Sequence, residues 1–120
     1  MPRLTTYDDL RNIRRYLVFY RGLRLYNERF RDDLNHNHIA IMYCLRHHNR
    51  VGKLMNKRSV FKWVELMDFD KSESRTSKYI TALVSKGYVE QQGRYYFITP
   101  AGNTVLQDLE RTVKQQRIDR

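Results

Sequence analysis

Apolar residues recur along the chain at two periods, and each change of period marks an element. Tyr16, Phe19, Leu23, Tyr26 and Phe30 alternate spacings of three and four, while Leu10, Ile13, Leu17 and Tyr20 form a second, overlapping stripe. Residues 7–34 therefore read as one long helix with two apolar seams, one for its own domain and one for a partner subunit, and Gly22 is a point where it can kink. Leu34-Asn-His-Asn-His is polar and turn-like, with Asn37 as the N-cap of a second helix over 38–48 that carries Ile39, Met42, Tyr43 and Leu45. The segment 49–58 reads as a loop. Ser59 then caps a short helix with Val60, Phe61, Val64 and Met67 inward and Trp63 or Leu66 at its flank. Asp68-Phe69-Asp70 makes the turn that follows.

From Lys71 to Gly102 the pattern is sharper. Asp70-x-x-Glu73 has capping-box spacing, Ser72 is a second candidate cap, and Gly87 after Lys86 stops the helix. Between these limits Thr76, Ile80, Leu83 and Val84 share an inward face with Gly87. The outward face holds Ser74, Arg75, Lys78, Thr81, Ala82 and Ser85, two cations among small and hydroxyl side chains. Such a face suits a DNA major groove about 12 Å wide, although a solvated basic face serves equally as an ordinary helix surface. Tyr88-Val-Glu-Gln and Arg94-Tyr-Tyr-Phe-Ile, rich in aromatic and β-branched residues and split at Gly93, predict a two-stranded hairpin that must lean on the helices. Thr99-Pro100 pairs an N-cap with proline at the first helical position. The last helix, 100–117, carries Val105, Leu106, Leu109 and Val113, a stripe that needs the N-terminal helix of its own or another subunit.

Lys86-Gly-Tyr-Val-Glu and Ile98-Thr-Pro-Ala-Gly resemble the helix-end and wing-exit motifs of winged helix-turn-helix regulators, in particular the multiple-antibiotic-resistance regulator (MarR) family. The likeness extends over about residues 10–116 and is specific at the hairpin end. It implies a mainly α fold with a small β-hairpin wing: a dimerisation helix at 7–34, a winged helix-turn-helix core at 37–98 and a second dimerisation helix at 100–117. It also implies a homodimer acting on double-stranded DNA as a cytoplasmic transcriptional regulator. The DNA-binding residues expected are Ser74, Arg75, Lys78, Thr81 and Ser85 on the recognition helix, Gln92 and Arg94 on the wing, and Lys57 and Arg58 before the short helix.

Charge agrees with that expectation. Lys and Arg total 23 against 13 Asp and Glu, a formal charge of +10 on 120 residues, which favours polyanionic partners. Two neighbouring readings remain: a DNA-binding accessory factor of a mobile element or replication system, and a winged helix used as a protein-interaction module. The latter needs no cations on the outer face of 74–85. No run has the length of a membrane span, and the N-terminus lacks the apolar core of a signal peptide. Cys44 is the one cysteine and sits in an apolar stretch, which fits a buried, inert thiol. His36 and His38 lie about ten residues of helix, roughly 15 Å, from His47 and His48, too far to share a metal. No phosphate loop or nucleophile elbow is present, and no enzyme or cofactor is expected. An aromatic seam between the terminal helices has the composition to hold a small apolar effector, though aromatic core packing is the commoner use.

Overall fold

The structure, a computed structural model, describes residues 13–67 and 72–118, and the side chains of 21–67 and 72–115. Among these, α1 (Ile13–Phe30), α2 (His36–Arg50), α3 (Lys57–Leu66) and α4 (Glu73–Ser85) lead into an antiparallel hairpin, and α5 (Pro100–Ile118) closes the order. The hairpin strands are β1 (Val89–Gln92) and β2 (Tyr95–Ile98), in register from Val89 with Ile98 to Gln92 with Tyr95. The domain is thus mainly helical with one small β element. No described helix is long and apolar enough to cross a membrane.

Helix α2 is the centre. Residues 37–45 are all buried, and the helix packs on α3, α4, α5 and β2. A helix enclosed on every side needs apolar residues all round, which Ile39, Ala40, Ile41, Met42 and Leu45 supply. Its start is two residues earlier than the sequence suggests. Asn35, not Asn37, is the N-cap: its Oδ1 accepts from the backbone N–H of Asn37 at 2.9 Å and of His38 at 3.0 Å, while His38 Nδ1 accepts from Asn35 N–H at 2.9 Å. A histidine thus completes a reciprocal capping box that glutamate or glutamine usually closes. A similar shift occurs at α3, where Asn56 is the cap; Ser59 donates both its N–H and its hydroxyl to Asn56 Oδ1 at 2.9 Å. Both helices reach into the expected 49–58 loop, leaving 51–56 between them.

Helix α1 ends at Phe30 rather than near 34. Arg31 adopts the left-handed conformation (φ 54°), and Asp32 N–H reaches back to the Asn27 carbonyl at 3.0 Å. The Asn27 side chain then takes over the chain beyond, donating to the Leu34 carbonyl at 2.8 Å and accepting from Leu34 N–H at 3.1 Å. The helix runs unbroken through Gly22, whose role is close approach: a Cβ there would lie 2.6 Å from Val113 Cγ2 and 3.2 Å from Val113 Cα. Leu23 and Tyr26 of the first seam are buried and Phe30 is largely exposed. The rest of that seam, and all of the second, lies outside the described side chains.

The apolar stripe of α5 is covered within the chain. Val105, Leu106 and Leu109 are buried, Val113 is partly so, and α5 packs chiefly on α1. A second tie joins α5 to α2, where Glu110 Oε2 accepts from Tyr43 Oη at 2.8 Å and from Arg46 at 2.9 Å. The Thr99 cap is as expected, with its Oγ1 accepting from Gly102 N–H at 3.0 Å.

Candidate nucleic-acid interface

Helix α4 owes its orientation to three sets of contacts. Its inward face buries Thr76, Ile80 and Leu83 against α2, α3 and β1. At its start Ser72 is the cap and its Oγ accepts from Arg75 N–H at 3.2 Å; Asp70, the other candidate, lies outside the described residues together with the turn at 68–71. At its end Gly87 (φ 81°) lets its N–H reach the Val84 carbonyl and Tyr88 N–H the Leu83 carbonyl, each at 3.0 Å, the paired bonds of a Schellman motif.

A further anchor, beyond these three, had no signal in the sequence. Lys86 Nζ lies 2.9 Å from Asp32 Oδ1 and 2.6 Å from Asp33 Oδ1, and Tyr88 Oη donates to Asp32 Oδ2 at 2.7 Å. Burial alone would raise the Asp32 pKa, but the hydrogen bonds from Lys86, Tyr88 and Asp33 N–H outweigh it and hold the carboxylate below its ordinary range. Burial and the Asp32 bond push the Tyr88 phenol up to about 12. More than fifty residues separate these partners, and no local period joins them. Beside this cluster Asn37 Nδ2 donates to Tyr79 Oη at 3.4 Å, and the rings of His38 and Tyr79 meet edge to face at 5.1 Å.

Thus held, α4 turns Ser74, Arg75, Lys78, Thr81 and Ser85 to the surface, all exposed, with Ala82 half-buried among them. Thr81 spends its hydroxyl proton on the Ser77 carbonyl at 3.0 Å and keeps its oxygen as an acceptor. Arg58 NH1 stands 3.4 Å from both carboxylate oxygens of Glu73, so the start of α3, with exposed Lys57, abuts the start of α4. Lys57 and Arg58 therefore share a region of surface with the start of the exposed α4 face. Gln92 and Arg94 belong to another. The hairpin packs on α4 at its Val89 end, and three further residues carry the tip roughly 10 Å beyond. There Gln92 Nε2 donates to Glu90 at 2.9 Å, and the Arg94 guanidinium lies over its own neighbour, 5.4 Å from the Tyr95 ring centroid.

The edge of β2 away from β1 is tied down. Tyr96 N–H donates to the Met55 carbonyl at 2.9 Å and Ile98 N–H to Asn49 Oδ1 at 2.9 Å, so the end of α2 and the connection before α3 together fix the hairpin to the helical body. Two of the four histidines have structural posts: His38 closes the α2 cap, and His48 Nδ1–H donates to the Cys44 carbonyl at 2.7 Å. Cys44 itself is buried, which pushes its thiol well above the ordinary range.

No family model, curated protein or solved structure matches the chain.

Proposed function

We propose that the chain binds double-stranded DNA sequence-specifically, with α3, the turn after it and α4 as a helix-turn-helix and β1–β2 as its wing, in the manner of a MarR-like transcriptional regulator. The observation that carries this reading is the outer face of α4. Five exposed residues, two of them cationic and three hydroxyl-bearing, stand on a helix fixed at its start, its end and along its inner side. Arginine and lysine supply bidentate or paired donors to guanine, hydroxyls serve either base type, and the small Ala82 lets the helix approach closely. Lys57, Arg58 and Arg94 flank it as phosphate contacts.

The protein works as a two-fold dimer in this reading, with recognition helices about 34 Å apart on one face of the duplex. Because α1 already covers the stripe of α5, the contact between subunits falls in this reading to the second apolar seam expected from the sequence, Leu10, Ile13, Leu17 and Tyr20, which lies outside the described side chains. Light scattering that returned a monomer's mass at roughly tens of micromolar protein would remove the dimer from the proposal.

Selection from a random duplex library tests the function. An enriched motif is expected, and on it Arg75→Ala should lose about 1–3 kcal/mol relative to random duplex, whereas Lys57→Ala should weaken both alike. Binding without any enriched motif would remove sequence specificity and favour an accessory role on DNA.

A further inference from the structure

Two of the four large apolar side chains that stand exposed among the described residues lie in one tight turn: Val51, 66 % exposed, and Leu54, 54 %. The turn follows the end of α2 and is hydrogen-bonded. Gly52 (φ 75°) lets its own N–H reach the Asn49 carbonyl at 3.1 Å and Lys53 N–H the His48 carbonyl at 2.9 Å, the same paired bonds that stop α4. Val51 and Leu54 therefore stand outward on a fixed backbone. The next residues alternate as an extended segment does. Met55, whose carbonyl accepts from Tyr96 N–H, is buried together with Tyr96, whereas Leu54 is open and Tyr95 and Phe97 are partly so.

The charge around this turn is one-sided. No Asp or Glu occurs between Asp33 and Glu65, a stretch that carries Arg46, Arg50, Lys53, Lys57, Arg58 and Lys62. Arg50 and Lys53, next in sequence to Val51 and Leu54, are both exposed. Aliphatic tips among cations narrow the choice of occupant. Single-stranded nucleic acid stacks its bases on aromatic rings, and Val51 and Leu54 offer none. A second copy of the chain is a poor fit, because a two-fold contact here would set Arg50 and Lys53 against like charge. The boundary between headgroups and acyl chains of an anionic bilayer accepts both kinds of group at once, aliphatic tips below the phosphates and cations among them.

We propose that the 50–54 turn docks the protein on an anionic lipid surface, with Val51 and Leu54 inserted to the acyl boundary and Arg50 and Lys53 on lipid phosphates. The protein lies on the bilayer in this arrangement and does not span it. The site does not rest on the DNA reading: Asn49 ties the turn to the Ile98 end of the hairpin, away from the Gly93 tip, and no residue of α4 takes part.

Cosedimentation of the full chain with vesicles of equal parts phosphatidylglycerol and phosphatidylcholine tests it. Saturable binding is expected, with none to pure phosphatidylcholine. Val51→Ser/Leu54→Ser keeps every charge and should weaken binding at least about tenfold. Arg50→Gln/Lys53→Gln should also weaken it about tenfold or more. Arg111→Gln/Lys114→Gln removes the same charge roughly 16–21 Å along α5 from its Pro100 start and should change binding less than about twofold. In Leu54→Trp the new indole should be quenched by lipids brominated on their acyl chains. All the substituted residues are exposed, and thermal unfolding of each variant checks that the fold persists. The proposal is overturned if the vesicles do not bind, if Val51→Ser/Leu54→Ser binds them unchanged, or if the α5 variant loses as much as Arg50→Gln/Lys53→Gln, which would mean adsorption by net charge alone. It is equally overturned if Val51→Ser/Leu54→Ser weakens duplex DNA binding and leaves vesicle binding intact, which would assign the turn to the DNA interface.

Discussion

One glycine and one histidine show how much of this domain turns on single atoms. A Cβ on Gly102 would collide with the Tyr88 carbonyl and lie 2.9 Å from Ile98 Cγ1, at the point where α5 leaves the hairpin. Backbone on one side and a branched side chain on the other leave little room to yield, so Gly102→Ala should cost about 1–3 kcal/mol in urea unfolding. An unchanged midpoint would mean that the α5 start moves freely. His38 makes stability depend on pH. Burial lowers its pKa; Asp33 and Asp32 act against that, and Lys86 and His36 act with it. The folded state thus binds a proton less readily than the unfolded chain. The stability this contributes is fully present above the unfolded value of about 6.5 and is lost as pH falls toward the lower folded one. Protonation at Nδ1 would also set two N–H groups against each other at the Asn35 cap. Unfolding midpoints should therefore drop as pH falls below about 6.5, and His38→Gln should flatten that drop. Equal slopes in both proteins would clear His38 of the effect.

At the scale of elements, the sequence announces helices and their stops more clearly than their partners. The Schellman end of α4, the Thr99 cap and the Gly93 turn were legible because each depends on residues within a few positions of one another. The starts of α2 and α3 were displaced because several Asn and Ser residues competed for each cap, and choosing between them takes the actual backbone. Long-range ties were invisible for the same reason. The Asp32, Asp33, Lys86 and Tyr88 cluster pins the end of α4 to the connection between α1 and α2, and its Asp32 side chain is only 6 % exposed. Replacing Lys86 with Met removes one partner and leaves a covered carboxylate with Tyr88 and a backbone N–H. The expected loss is about 1–3 kcal/mol at neutral pH. Because the folded Asp32 pKa is depressed, its share of stability is present above the unfolded value of about 3.9 and disappears as pH falls through the folded one. The gap between Lys86→Met and the unsubstituted protein should therefore close below about pH 4, and a gap that persists there would assign the loss to packing of the lysine stem.

Across the whole molecule the excess of positive charge is divided between places with different work. On the DNA reading the α4 face offers cations to base edges and the hairpin tip offers one guanidinium on a short arm, while the cations between α1 and α5 stand away from both. The tip is the part whose engagement is easiest to isolate, because Arg94 rests on Tyr95 through bonds of 3.4 Å and an exposed ring contact, all weak enough to release. Gly93 (φ 64°) beside it lets the backbone come near a groove wall, and a narrow A·T-rich minor groove attracts a lone guanidinium. On the DNA reading, Arg94 therefore adds affinity and A·T preference more than base identity. Each phosphate neutralised releases condensed counterions, so losing one contact should lower the slope of log affinity against log salt by about 0.9. Titrating Arg94→Ala and the unsubstituted protein on one selected duplex across several salt concentrations measures that difference. Parallel lines with equal affinity would show that Arg94 stays on Tyr95 and that the hairpin tip stands clear of the DNA.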